Sequence, residues 1–350
     1  MTTPSKLTAS RGSPHPDEAL FAGQSPSPVL APCEHYAGSE KFIFKALELQ
    51  GRLGRVFDVT CDCEDGAVSG EEWPHVQMVA RAIRSDANPF GRVGARIHDV
   101  TTRHWKDDIE VLIGEAGDRI AYLTVPKSRS VSDAAHVLDH IRSRESAAGL
   151  QRPIPVHVLI ETHGALRDVF AIAALPGIEV LDFGIMDFVS DHLGALPQAA
   201  MRSPLQFEHP LLVRAKSEIA AAALAYGLVP AHNVCTALRD TQTVYSDARR
   251  ARDEFGFLRM WSVHPDQILP IVRAMSPEST DIEEAANVLL AASRSDWGPI
   301  SADGRLHDRA SYRYFWSVLR RAHALGIAMP PAATAAFFSN DDAGVAADDA

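Results

Sequence analysis

The chain has 350 residues, 46% of them hydrophobic, which is enough for a large core and suits one α/β barrel with extensions. A formal net charge of −11 argues against a nucleic-acid binder, which needs basic patches to neutralise phosphate. The four cysteines, Cys33, Cys61, Cys63 and Cys235, show neither zinc nor comfortable disulfide spacing and read as free thiols of a reducing cytoplasm.

Residues 1–26 are rich in Ser, Pro and Gly and read as a flexible arm, without the apolar stretch of a secretory signal. From 27 to 275, short β-branched runs alternate with amphipathic stretches. Strands are expected at Ser27–Pro32, Arg55–Glu64, Gly94–Val100 and Ile120–Lys127, then at Pro155–Thr162, Ile178–Asp187, Leu228–Val234 and Arg259–Pro265. Helical periodicity follows them, clearest at Glu71–Ser85, Val131–Arg144, Leu211–Tyr226 and Thr241–Glu254. Eight alternations favour a closed (β/α)8 TIM barrel over an open doubly wound sheet. The runs VHVLIE and VLDFGIMD are apolar before turning acidic, as strands buried on both faces should be.

Two more helices, near Asp281–Ser293 and Arg309–Gly326, make a C-terminal helical extension over 276–330. They flank Trp297-Gly298-Pro299 and a loop at Asp303-Gly304-Arg305. Residues 331–350, rich in Ala and Asp, read as a flexible tail. No apolar run approaches the roughly 18 residues of a membrane span, so a soluble cytoplasmic protein without a membrane partner is expected.

Reacting groups of parallel barrels stand at the carboxyl ends of the strands. Here strand two ends Asp62-Cys63-Glu64-Asp65-Gly66, strand three carries Arg96, and strand four ends Pro126-Lys127. Strand five ends Glu161-Thr162, strand six Gly184-Ile185-Met186-Asp187, and strand eight His264-Pro265. Any one of these acids alone would read as a solvated loop residue. Gathered at one barrel end, they would repel each other once desolvated, and a divalent cation resolves that conflict. Donors that are all oxygen point to Mg²⁺, or Mn²⁺, rather than zinc. His157, inside a strand, reads as structural. Lys127 could form a Schiff base, but a metal site needs none, so a charge-neutralising or positioning role suits it better. There is no G-x-S-x-G elbow, H-E-x-x-H pair or P-loop.

These residues resemble a known family. FDVTCDCEDGAVSG is similar to the L-D-L-E-D-A-V strand of the HpcH/HpaI aldolase–citrate lyase family, which includes the citrate lyase β-subunit and malyl-CoA lyase. GARIHDV resembles its R-V-N segment, TVPKSRS its P-K segment and IETHGAL its I-E-T-x-x-G. DFGIMDFVSDHLG, WSVHPDQI and ISADGRLHD are similar to F-G-x-x-D-x-x-x-D-x-G, I-H-P-x-Q-I and D-G-R-x-x-D. The resemblance runs from about Pro28 to Gly326. It implies that Glu161 and Asp187 bind Mg²⁺, that Arg96 contacts the keto acid, and that Asp62, Glu64 and Asp65 form an acidic wall behind the metal. It further implies coenzyme A as part of the substrate and a homotrimer or homohexamer. Whether basic side chains such as Lys41, Lys45 or Arg129 flank the barrel mouth separates a CoA ester, whose phosphates need them, from a free acid.

The implied reaction is Mg²⁺-dependent carbon–carbon cleavage, or its reverse, of a malyl-, citramalyl- or citryl-CoA. A free 4-hydroxy-2-oxo acid aldolase and an acyl-CoA thioester hydrolase are the alternatives on the same site. A purely structural barrel fits poorly, since desolvated acids around an absent metal gain it nothing. Two departures stand out. The V-P-G of the first strand is missing, and in the P-I-D-x-V-Y-x-D-x-x-D segment His232 stands at the first Asp, Ala237 at another, while Asp240 is kept. With an unperturbed pKa near 6.5, His232 is therefore a candidate proton donor.

Overall fold

The computed structural model describes residues 13–21, 23, 26–67, 69–302 and 304–338. Asp303 of the expected loop, residues 1–12 of the expected arm and residues 339–350 of the expected tail lie outside that set. Two compact units result: a barrel over Leu30–Ser276, and a second unit made by the segments before and after it.

In chain order the elements are α1 (Pro16–Phe21), β1 (Cys33–Ala37), α2 (Glu40–Leu53), β2 (Phe57–Asp62) and α3 (Glu72–Arg84). Then come β3 (Val93–Arg96), α4 (His104–Ala116), β4 (Leu123–Val125), α5 (Val131–Ala148) and β5 (Val156–Ile160). Next are α6 (His163–Arg167), α7 (Val169–Ala173), β6 (Ile178–Phe183), α8 (Ile185–Asp191) and α9 (Pro210–Ala225). The barrel closes with β7 (Val229–His232), α10 (Thr241–Phe255), β8 (Arg259–Ser262) and α11 (Pro265–Met275). The second unit adds α12 (Ser279–Arg294), β9 (Ile300–Ala302), β10 (Arg305–His307), α13 (Arg309–Ala324) and α14 (Pro331–Phe337).

Strands β1 to β8 form a closed parallel barrel in sequence order, with β8 paired back onto β1 through Cys33 and Met260. The expected barrel is therefore present, and seven of its strands overlap the expected segments. The first does not. It runs over Cys33–Ala37 rather than Ser27–Pro32, because Pro28 and Pro32 cannot donate to a ladder whereas CEHYA pairs with β2 along its whole length. In the second unit, α1 falls in the segment read as an arm and α14 in the segment read as a tail. Leu20 and Phe337 are buried in a cluster with Ile282, Leu289 and Trp316, and the indole N–H of Trp316 donates to Asp17 at 2.7 Å. Among the described residues, no helix is long and apolar enough to cross a membrane.

The inside of the barrel is partly polar. Thr60 donates to Glu34 at 2.7 Å, its oxygen lies 2.7 Å from the Tyr122 hydroxyl, and the Tyr122 ring stacks on His157 at 4.0 Å. Arg259, fully buried, donates to Asp58 at 2.6 Å, and Arg92 grips the same carboxylate at 2.8 and 3.1 Å. On the other side Tyr36, Leu159, Val180, Val229, Ala231 and Trp261 make an apolar cluster. Asp58→Ala removes the 2.6 Å partner of Arg259 and leaves that charge with Glu34 at 3.4 Å, which should cost about 3–5 kcal/mol of stability in urea unfolding. A loss under about 1 kcal/mol would show that Arg259 does not depend on Asp58.

Candidate active site

A cavity of about 290 Å³ opens at the carboxyl end of the barrel. Its polar side is Asp62 at the end of β2 and Asp65 beyond it, Arg96 at the end of β3, Glu161 after β5 and Asp187 in the first turn of α8. The strand-end reading thus brings these five residues together. Glu64 and Lys127 stand beside them without lining the cavity.

Arg96 organises the acidic wall. Its Nε donates to Asp62 at 2.7 Å and Nη2 donates to the other Asp62 oxygen at 2.5 Å, while Nη1 lies 3.1 Å from Glu64. Asp62 also accepts the amides of Glu64 and Gly66, at 3.0 and 2.8 Å, so it shapes the loop as well as holding the guanidinium. Burial pushes the Asp62 carboxyl up, but the Arg96 ion pair and these hydrogen bonds outweigh it and leave its pKa below the usual value. Glu64 goes the other way: burial raises it more than Arg96 and Lys127 lower it. Lys127 closes the wall, with Nζ at 2.9 Å from Glu64, 2.8 Å from Asp65 and 3.8 Å from Asp187.

Glu161 is the exception. It is 1% exposed, and its only hydrogen bond among the described residues is from the Lys127 amide to Oε1 at 2.7 Å. Burial, and then the Asp187 charge, push its carboxyl up to about 8. The local backbone is built around it. Lys127 adopts φ 48°, a left-handed conformation costing a non-glycine residue about 1–3 kcal/mol, and its amide meets Glu161. A Cβ at Gly184 would fall 2.3 Å from Glu161 Oε2. Thr162 donates to the Ser128 carbonyl at 2.7 Å and caps α6 through Ala165, which ties the ends of β4 and β5 together.

The other side of the cavity is apolar and was not read from the sequence. Tyr36 stacks on Trp261 with ring centroids 4.2 Å apart, and the Arg96 guanidinium lies 5.5 Å from the centre of the Tyr36 ring. Phe183, Ile185, Met186, Val234 and Val263 complete it. Period-two alternation was the available signal: Arg259 and Trp261 share a face of β8, as Glu34 and Tyr36 share a face of β1.

Three expected site residues stand elsewhere. His232 is a correction. In β7 the lumen-facing residues are Val229 and Ala231, so His232 points outward, fully buried. There its ring contacts Lys216 and stacks on Phe207 with centroids 5.4 Å apart. Lys41 is exposed in the first turn of α2. Lys45 borders a separate groove of about 680 Å³ with Arg52, Pro265 and Leu269. Neither lysine lines the cavity.

A family model described as HpcH/HpaI aldolase/citrate lyase matches residues 59–265. A citrate lyase crystal structure from Burkholderia xenovorans LB400 is 53% identical, with a TM-score of 0.82, covering 92% of this chain and 99% of that one. L-malyl-CoA/beta-methylmalyl-CoA lyase of Cereibacter sphaeroides is 26% identical over 284 residues, covering 76% of this chain and 87% of its own length. The protein CitE of Mycobacterium tuberculosis, solved in complex with magnesium, acetoacetate and coenzyme A, shares the fold at 23% identity. Its TM-score is 0.62, with 84% of this chain and 98% of that one covered.

Burial and the Lys216 charge push the His232 pKa well below its usual value. In the unfolded chain it titrates near 6.5, so below that pH the unfolded state takes up a proton that the folded state refuses. The stability present above pH 6.5 should therefore fall as pH drops towards the folded value. His232→Gln should flatten that slope by about one proton in urea unfolding between pH 5 and 8; an unchanged slope would assign the titration to another group.

Proposed function

Since the chain belongs to the HpcH/HpaI aldolase/citrate lyase family and is a carbon–carbon lyase, we propose that it cleaves, or forms, a 3-hydroxyacyl-CoA ester at a Mg²⁺ held by Glu161 and Asp187. The observation that carries this reading is Glu161, a buried carboxylate pushed up to about 8 beside a second acid, with one backbone amide as its hydrogen-bond donor. Hard oxygen donors and uncompensated negative charge suit Mg²⁺, which typically takes one or two carboxylates and fills the rest with substrate oxygens and water. The relatives named for malyl-CoA and beta-methylmalyl-CoA support a CoA ester as substrate.

Bound there, Mg²⁺ supplies Lewis-acid polarisation of a substrate oxygen, an effect on the order of several kcal/mol. The chain does the rest. Arg96 turns the N–H groups left over from Asp62 and Glu64 towards the oxygen that becomes the keto carbonyl, and those two acids keep the guanidinium from rotating. As the bond between the carbinol carbon and the acyl-CoA α-carbon breaks, its electron pair passes to the α-carbon; the proton lost from the substrate hydroxyl is matched by the one taken up there, so the cleavage is proton-neutral overall. Lys127 neutralises Glu64, Asp65 and Asp187 at the rim, so that an anionic substrate can approach. Tyr36, Phe183 and Trp261 keep water off the reacting bond. Lys41, where the chain leaves β1 at the mouth, is the basic group we assign to the phosphates of the coenzyme, with Lys45 one turn further on. The outward place of His232, on Lys216 and Phe207, speaks against it as the group that would activate water for thioester hydrolysis.

The test is Mg²⁺-dependent release of a 2-oxo acid from malyl-, citramalyl- and citryl-CoA, with a free 4-hydroxy-2-oxo acid alongside. Release from a CoA ester that stops with EDTA is expected; cleavage of the free acid alone would move the protein to the aldolase branch. Asp187→Ala should abolish Mg²⁺ binding in calorimetry, and a wild-type affinity in that variant would remove the ligand assignment. Arg96→Lys retains the charge but loses the planar fork, so kcat/KM should fall by about 100-fold. An unaltered rate would exclude direct contact.

A further inference from the structure

The two sides of the cavity differ in what they can recognise, and that difference bears on the substrate fragment which becomes the 2-oxo acid. Arg96 is the only basic side chain among the residues described as lining the cavity. Its Nε and Nη2 are committed to Asp62 and its Nη1 faces Glu64. Lys127, beside the cavity, is held by Glu64 and Asp65 and faces Asp187. A substrate carboxylate held at the acid pair by a metal is accommodated. A second carboxylate would meet four lining acids, Asp62, Asp65, Glu161 and Asp187, and, among the described lining residues, no uncommitted cation.

Opposite the acids the wall offers carbon. The indole N–H of Trp261 is turned away from the cavity to Asp182, at 2.7 Å, and the Tyr36 hydroxyl, buried and without a hydrogen-bond partner among the described residues, is a single neutral group that cannot balance a carboxylate charge. Val234 and Val263, just beyond β7 and β8, continue this surface, and Met186 and Val263 are each 45% exposed, apolar groups left open at the mouth. At about 290 Å³ the cavity lies at the small end of the roughly 300–1,000 Å³ usual for small-molecule sites.

Building on the lyase reading above, we propose that the 2-oxo acid made or used here is a monocarboxylate bearing a short alkyl group. Such an acid is favoured over a dicarboxylate and over the smallest member, which has no side chain. The carboxylate and keto oxygens lie towards Glu161, Asp187 and Arg96, and the alkyl group lies against Trp261, Val234 and Val263.

The experiment is the condensation direction, with Mg²⁺-saturated protein, acetyl-CoA and one of four acids: glyoxylate, pyruvate, 2-oxobutyrate or oxaloacetate. Each added carbon on the apolar wall should raise kcat/KM about fourfold from glyoxylate to 2-oxobutyrate. Oxaloacetate should fall about 100-fold below pyruvate. Val263→Arg places a cation at the open edge of the wall and should shift the oxaloacetate-to-pyruvate ratio at least about tenfold towards oxaloacetate. Wild-type preference for oxaloacetate or glyoxylate would overturn the alkyl assignment and leave the lyase standing. Failure of all four acids to condense, and to bind in calorimetry, would bring down the lyase reading and this inference with it.

Discussion

A charge inside a closed barrel has no solvent to stabilise it, and each one must be matched within a few ångströms or shift its protonation. This barrel follows that rule level by level. Low in the lumen, Asp58 sits between Arg92 and Arg259. Above it, Glu34 faces Arg259 at 3.4 Å and His157 at 3.6 Å, and burial, opposed by these two cations, leaves its carboxyl at about 2. At the mouth Asp62 and Glu64 hold Arg96, and Lys127 closes the ring. Asp182 has the Trp261 indole as its donor, and burial with the Glu34 charge pushes it up to about 7. Glu161, pushed up to about 8, is the least compensated acid of the mouth. The charge-matched lower levels support a rigid frame, and Glu161 is where that matching is left incomplete.

The matching also explains what the sequence disclosed and what it concealed. Acids recurring just after apolar strands are legible, because a strand buried on both faces leaves no other place for charge; Asp62, Glu161 and Asp187 were found that way. The first strand was concealed by the same chemistry. CEHYA carries Glu34 into the lumen, so it lacks the apolar run that marks a strand, while the nearby PVLAP imitates one. His232 misled for a different reason. Its place in a motif suggested catalysis, yet counting in twos along β7 would have turned it outward beside Lys216. Helices α1 and α14 bury their apolar residues through contacts distant in sequence, which no local window reveals.

Two kinds of surface therefore meet at one cavity. The acidic side is made by ion pairs and backbone amides that fix each atom within a network, so a change at one residue is felt by its neighbours. The apolar side is made by side chains in van der Waals contact, which tolerate exchange among residues of similar volume.

Gly38 and Gly66 show where that division leads. A Cβ on Gly38 would lie 1.9 Å from the Gly66 carbonyl oxygen, so the loops after β1 and β2 touch backbone to backbone. Neither can lengthen, shorten or gain bulk unless the other moves. Val234 and Val263 sit in loops with no such interlock among the described glycines. The acid-lined half can therefore change only as a block, while the apolar half can change one residue at a time. A barrel built this way can be retuned on one wall without rebuilding the other.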